Sequence, residues 1–474
     1  MKLDALAARM PLVLLAACST ATASGPGGGG PLPVQVAAAP APVMPAATAA
    51  SAGDVAGTAA PDATAEEIAR LRAEGPAALA RLLATYDRLH GELPRQRLAA
   101  TIDKVAGQRY ATTSRLFWYT DLDAAKAVAR ATGKPILSLR MLGRLDEDLS
   151  CANSRFFRTT LYPDAAVGAL LREHFVLHWS SERMVPRVTI DFGDGRKLES
   201  TVTGNSAHYL LDADGRPIDV LPGLYAPAMF VRQLELGRAL HASLRGQDDA
   251  TRARTLIAYH RDAAETMDAQ WRELGRVAVS DGGRRPLAAV AADGALAAAQ
   301  LATVAKSSVE VPMLKTVDVG ADPGELPDDV ALWAAIGERL LGAGEPSRPA
   351  RRQAAAPAPR RVLAPQARGL VDALLAAPAP GVAPLDDAAR AAVIARLEQT
   401  IVADTAINEA RLRPLIRSYL IAQLEAGRPL DFASLNTWIY DVVFRTPRGD
   451  DWLGLLPRDT FTGLPGGAIV ARAR

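Results

Sequence analysis

Apolar and polar positions follow different periods in different parts of the chain. Ile68, Leu71, Leu79, Leu82, Leu83, Tyr86 and Leu89 recur at helical spacing, with Gly75-Pro76 as an interruption. Thr64-Ala65-Glu66-Glu67 opens this stretch in capping-box form, so residues 63–114 are predicted to be a helical preface. From 115 to 245 strands and helices alternate. Asp121 to Thr132 reads as a helix stopped by Gly133, and Pro135 to Leu142 as a buried strand. A helix is expected from about 152, another capped by Asp164, then a strand over Phe175 to Trp179. Turn residues at Gly193-Asp194-Gly195 and Asp212-Ala213-Asp214-Gly215 predict two hairpins before a final helix from Pro227 to Leu244. Residues 246–342 read as helical. A Pro, Ala and Arg stretch over 343–383 reads as a linker, and 384–474 as a mainly α C-terminal domain.

The first residues carry a different signal. Lys2 and Arg9 precede an apolar run from Met10 to Ala17 that is too short to span a bilayer, which is the layout of an export signal over 1–17. Leu15-Ala16-Ala17-Cys18 resembles the lipobox of bacterial lipoproteins, and that resemblance implies lipidation of Cys18 and retention at the outer membrane, facing the periplasm. Plain secretion with cleavage after Ala21-Thr22-Ala23 is the alternative. Residues 18–62 contain almost no charge or aromatic residue, and this composition predicts a disordered tether. Its glycines, Gly27 to Gly30, lack the Lys and Ser or Thr of a phosphate-binding loop.

Composition narrows the function classes. Of 474 residues, 54 are Lys or Arg and 52 are Asp or Glu, a net charge of +2 that supplies no field for a dedicated nucleic-acid binder. Two cysteines exclude a disulfide scaffold and a four-cysteine zinc site. No cofactor or metal is implied.

Trp118 to Ala125, Gly133-Lys134-Pro135-Ile136-Leu137, and Leu211 to Gly215 followed by Leu221-Pro222-Gly223 resemble a thioredoxin-like domain over 115–245. Ser150-Cys151-Ala152-Asn153-Ser154, Phe175 to Trp179 and Gly204-Asn205-Ser206 are similar to bacterial envelope proteins of that superfamily. The resemblance implies an α/β thioredoxin-like core with Cys151 at the attacking position and Ser154 in place of the resolving thiol. A dithiol cycle is then impossible, and a monothiol reaction with Ser154 donating to the thiolate is the chemistry left open. Asn205 and Ser206 fall where the family docks a substrate segment. Ser206 stands in place of a cis-proline, and a non-proline cis bond costs ~3–4 kcal/mol, so a trans peptide is expected there. Asp146, Glu147 and Asp148 are expected to raise a nearby thiol pKa, against Arg155 and the helix N-terminus.

Other signals read as structural. His174 and His178 pass from helix to strand and do not form a zinc pair, and Asp212 to Gly215 is a turn lacking calcium ligands. Asp404, Asn408, Glu409, Arg411 and Arg413 read as a polar network locking a helix to the tail around Asp450 to Gly454. Two functions follow from different classes. One is a lipid-anchored envelope protein that handles periplasmic protein thiols through Cys151. The other is a non-catalytic binding or scaffold lipoprotein in which the same fold docks an envelope protein.

Overall fold

The computed structural model describes residues 63–201, 205–280, 328–342, 361–379, 381–444 and 446. The expectations for the export signal, Cys18, the tether, Gly204, the Ala-rich stretch after 280 and the tail from 447 fall outside the described residues. Among those described, no helix is long and apolar enough to cross a membrane.

The preface forms as its caps dictate. Helix α1 (Ala65–Ala73) begins at Thr64, whose hydroxyl accepts from the Glu67 N–H at 3.2 Å. Gly75, at a φ of +71°, turns the chain into α2 (Pro76–Arg88), which carries Pro at its first position. Helix α3 (Glu92–Ala106) ends on Gly107 in the left-handed conformation. Leu79, Leu83, Ile102 and Ala106 bury one face against Ala111 and Phe117. Two indoles bind the preface and the short α4 (Ala111–Ser114) to the rest: Trp118 Nε1 donates to Gln108 Oε1 at 2.6 Å, and Trp179 Nε1 to the Gly107 carbonyl at 2.7 Å.

After α5 (Leu122–Thr132), strand β1 (Ile136–Leu142) is buried along nearly its whole length, which suits a central strand covered on both faces. The chain crosses over through α6 (Ala152–Phe156), a π-helical turn (Phe157–Leu161) and α7 (Ala165–His174) to β2 (Val176–Arg183), parallel to β1. Strand β5 (Ala207–Leu211) runs antiparallel to β1, and β6 (Pro217–Pro222) antiparallel to β5, giving the order β2-β1-β5-β6. Helix α8 (Pro227–Leu244) follows. The molecule is therefore mixed α/β, with a four-stranded mixed sheet between helical N-terminal and C-terminal parts.

Both turn signals make hairpins, but only the second joins this sheet. Strands β3 (Arg187–Asp191) and β4 (Lys197–Thr201) pair with each other alone. Arg187, Asp191, Lys197 and Glu199 fill one face of that hairpin and leave only Val188, Ile190 and Leu198 as an apolar patch on the other.

The C-terminal part consists of α9 (Asp249–Ser280), α10 (Asp328–Gly342), α11 (Pro365–Ala376), α12 (Asp387–Ile407), a π-helical turn (Asn408–Leu412), α13 (Arg413–Glu425), α14 (Phe432–Trp438) and a last π-helical turn (Ile439–Val443). Part of the stretch read as a linker is thus helical. Its Ala367 and Val371 are buried, and the buried Glu398 carboxylate accepts from the N–H groups of Val362 and Leu363 and from Arg368. Overall Pro and Ala content hides the short stripe of Leu370, Val371, Leu374 and Leu375. One apolar cluster runs from Leu137 and Phe230 in the sheet region to Ile416, Tyr440 and Phe444, so the C-terminal helices share the core of the sheet.

Candidate functional site

Cys151 ends the loop after β1 and caps α6, where its N–H donates to the Leu142 carbonyl at 3.2 Å. Its side chain is 0% exposed. Sγ lies 3.0 Å from Ser206 Oγ, so Cys151 and Ser206, which are 55 residues apart in sequence, share a hydrogen bond. Ser206 sits just before β5, and its carbonyl accepts from the Gly223 N–H at 2.7 Å. Among the described residues no peptide bond is cis.

Ser154 takes a different role from the one expected of it. Its hydroxyl lies 2.8 Å from the Cys151 carbonyl and 2.6 Å from Ser150 Oγ, closing the first turn of the helix and leaving the thiol to Ser206. The helix itself is short: α6 has 5 residues before the backbone widens into the π turn, which limits the aligned dipole that the N-terminus offers.

The acidic loop also differs from expectation in its electrostatics. Asp146 pairs with Arg144 at 2.7 Å, Glu147 with Arg144 at 3.3 Å, and Asp148 with Arg109 at 2.8 Å. Buried Arg158 gathers the loop's carbonyls, donating to Leu145 at 3.1 Å, to Asp148 at 2.9 Å and to Glu147. Burial pushes the Arg158 guanidinium down to about 10, which still leaves it charged at neutral pH. Each acidic side chain therefore has a cationic partner, and none faces the thiol unopposed. Arg155 donates to Thr201 Oγ1 at 2.8 Å.

The residues expected to dock a substrate are already in use. Asn205 is buried, and its carbonyl accepts from Tyr440 Oη at 3.1 Å. Tyr440 belongs to the π turn after α14. Two further bonds hold that segment: Tyr209 Oη donates to Asn436 Oδ1 at 2.9 Å, and Asn436 Nδ2 donates to Glu182 Oε1 at 2.8 Å. Burial, with Tyr209, Glu182 and Cys151 adding to it, holds the Tyr440 phenol well above its ordinary range, so it stays a neutral donor. The phenolic oxygen of Tyr440, which needs a partner when buried, is the only signal in the sequence of this contact.

Beneath Cys151, Tyr162 Oη and His208 Nε2 are 2.8 Å apart, and Phe157 packs on the imidazole. Desolvation pushes His208 down to about 3, so the ring is neutral. His178 Nδ1 lies 2.8 Å from Ser138 Oγ between β2 and β1, and His174 stays at the end of α7.

A second cluster lies between β6, α8, α9 and α13. Buried Asp219 accepts from Arg413, whose other nitrogen reaches Glu409 at 3.1 Å. Gln233 donates to Glu409 at 3.1 Å and Tyr259 to Asp219 at 3.3 Å. Asn408 donates to the Leu224 carbonyl at 2.7 Å. Burial works to raise the Asp219 carboxyl, but Arg413 and Arg417 hold it below the usual carboxylate range. The polar network expected around Asn408, Glu409 and Arg413 exists, and among the described residues it reaches β6 and its flanks, while the tail around Asp450 to Gly454 lies outside the described residues. Arg411 points elsewhere, over the stacked rings of Trp271 and Trp333. Comparison with family models, curated proteins and solved structures finds no match for this chain.

Proposed function

We propose that this protein is a lipid-anchored envelope protein whose sheet region is a thioredoxin-like core serving as a binding module, not as a thiol-disulfide oxidoreductase. Several features support the fold part of this reading. A β-α-β crossover is followed by an antiparallel hairpin and a helix, the cysteine sits where the crossover helix starts, and Ser206 faces it from the start of β5. The observation that carries the functional part is the full burial of Cys151 beneath residues that already bond to each other, with Tyr440 on the Asn205 carbonyl. The Asn205 and Ser206 carbonyls that a substrate segment would pair with already accept from Tyr440 and Gly223, and the fully buried Sγ offers a disulfide no open face. The anchor is Cys18, and the partner is an envelope component.

The test is alkylation of the full chain carrying Cys18→Ser, so that Cys151 is the only thiol. Labelling that is slow in the native protein and rapid in denaturant is the expected result. Rapid native labelling with a midpoint well below the free-thiol value of ~8.5 overturns the binding-module reading. In that case monothiol exchange is the better reading. Cys151 attacks a disulfide, one partner thiolate leaves, and an external thiol releases the adduct. The contact with Ser206 Oγ is the observation that favours this second reading.

A further inference from the structure

A cavity of about 480 Å³ lies between the outer side of the Cys151 crossover helix and helices α11 and α12. Its volume is in the range of small-molecule sites. The wall from α11 and α12 is aliphatic, including Val371, Leu374 and Leu397, and Leu374 stays 41% exposed despite its size. The opposite wall carries Arg155 and Arg158.

Among the described residues neither guanidinium is paired directly with a carboxylate. Arg155 spends one nitrogen on Thr201 Oγ1. Arg158 is 2% exposed, with its terminal nitrogens on loop carbonyls and on Ser150 Oγ and its Nε without a partner. Asp148 is the one carboxylate in the lining, and it is committed to Arg109. A buried cation without a direct ion-pair partner is costly, with Asp148 acting on Arg158 only through space, and an anion brought to this end offsets that cost. Tyr110, in the left-handed conformation at a φ of 61°, sets its ring 5.9 Å from the Arg158 guanidinium and closes the polar end.

We propose that this cavity binds a single aliphatic chain ending in a carboxylate. The carboxylate meets Arg155 with the buried Arg158 charge behind it in the wall, and the hydrocarbon lies along Val371, Leu374 and Leu397. The proposal deepens the binding-module reading by naming a ligand class. Palmitate binding reports on the cavity and Cys151 alkylation on the thiol, so the two readings fail separately.

The experiment titrates delipidated full-length protein carrying Cys18→Ser with palmitate, hexadecanol and acetate by calorimetry. Saturable one-to-one binding of palmitate is expected, with hexadecanol at least about tenfold weaker and acetate without effect. Arg155→Gln should weaken palmitate about tenfold and leave hexadecanol unchanged, whereas Leu374→Glu should weaken both. Both positions are partly exposed, and circular dichroism verifies that the variants fold. Non-saturable uptake of palmitate, equal affinity for hexadecanol, or undiminished palmitate binding by Arg155→Gln overturns the proposal.

Discussion

Tyr440 Oη donates a 3.1 Å hydrogen bond to the backbone carbonyl of Asn205, linking two residues 235 positions apart. This bond places the last described helical turn over the loop that carries Ser206, and so over Cys151. Tyr440 therefore covers part of the loop that faces the buried thiol.

Tyr440→Ala should speed alkylation of Cys151 in the native protein by at least about tenfold, since each 1.4 kcal/mol taken from local opening is a factor of ten. Tyr440→Phe keeps the ring and leaves the Asn205 carbonyl without its donor, a cost of about 1–3 kcal/mol, so an intermediate rate is expected. Labelling as slow as in the parent for both variants, with a fast denatured control, would remove Tyr440 as the gate.

The Asp219 and Arg413 pair should show the asymmetry of a buried ion pair. Removing one partner, by Asp219→Asn or Arg413→Met, should cost about 3–5 kcal/mol in urea unfolding because it leaves the buried charges of the cluster unbalanced, Arg413 with Glu409 alone or Asp219 and Glu409 without Arg413. The double variant should cost clearly less than the sum of the two. An additive double variant would show that the pair is not coupled.

Acid should destabilise the protein well before its carboxylates titrate. Burial lowers His178 and His208 to about 3 and His260 to about 4, against an ordinary value near ~6.5. The unfolded chain takes up these protons first, so the stability of the neutral rings is complete above pH ~6.5 and is lost as pH falls through the window towards the folded values. Each histidine contributes up to about 1.4 kcal/mol per pH unit within that window. The Asp219 carboxylate, held low in the folded state, adds its loss only below pH ~3.9. Thermal unfolding between pH 7 and 5 measures the first effect. A His208→Gln variant that folds should flatten the profile, and an unchanged slope would count against His208.

Gly337 should resist the usual helix-stabilising exchange. A Cβ there would collide with the Val402 carbonyl oxygen, a backbone atom that cannot swing aside. Gly337→Ala, ordinarily worth up to about 1 kcal/mol in a helix, should therefore destabilise by about 1–3 kcal/mol in denaturant melts. A raised melting temperature would show that α10 and α12 can part.

Where local chemistry sets an element, the sequence was readable. Asp121 and Asp164 cap α5 and α7 as their positions predict, Gly133 stops α5, and Asp212 folds its own turn by accepting from Asp214 and Arg216. The position of Cys151 at a helix start was readable for the same reason. Its hydrogen-bond partner was not, because Ser154 lies one turn away in the chain and invites a local pairing, while the hydroxyl that reaches Sγ comes from Ser206 across the sheet.

The chain by itself determined its periodicities, its caps and turns, the absence of a second thiol near Cys151, and the polar cluster of Asn408, Glu409 and Arg413. Only the tertiary structure decided that the β3 and β4 hairpin stays outside the sheet, that Tyr440 closes over Asn205, and that the Arg413 cluster faces Asp219 on β6. The physical reason is range. Caps and turns are satisfied by atoms within a few residues, so their partners are implied by spacing. A buried guanidinium or phenol must find its partner wherever packing brings one, and which element supplies it depends on how whole helices share a core with the sheet.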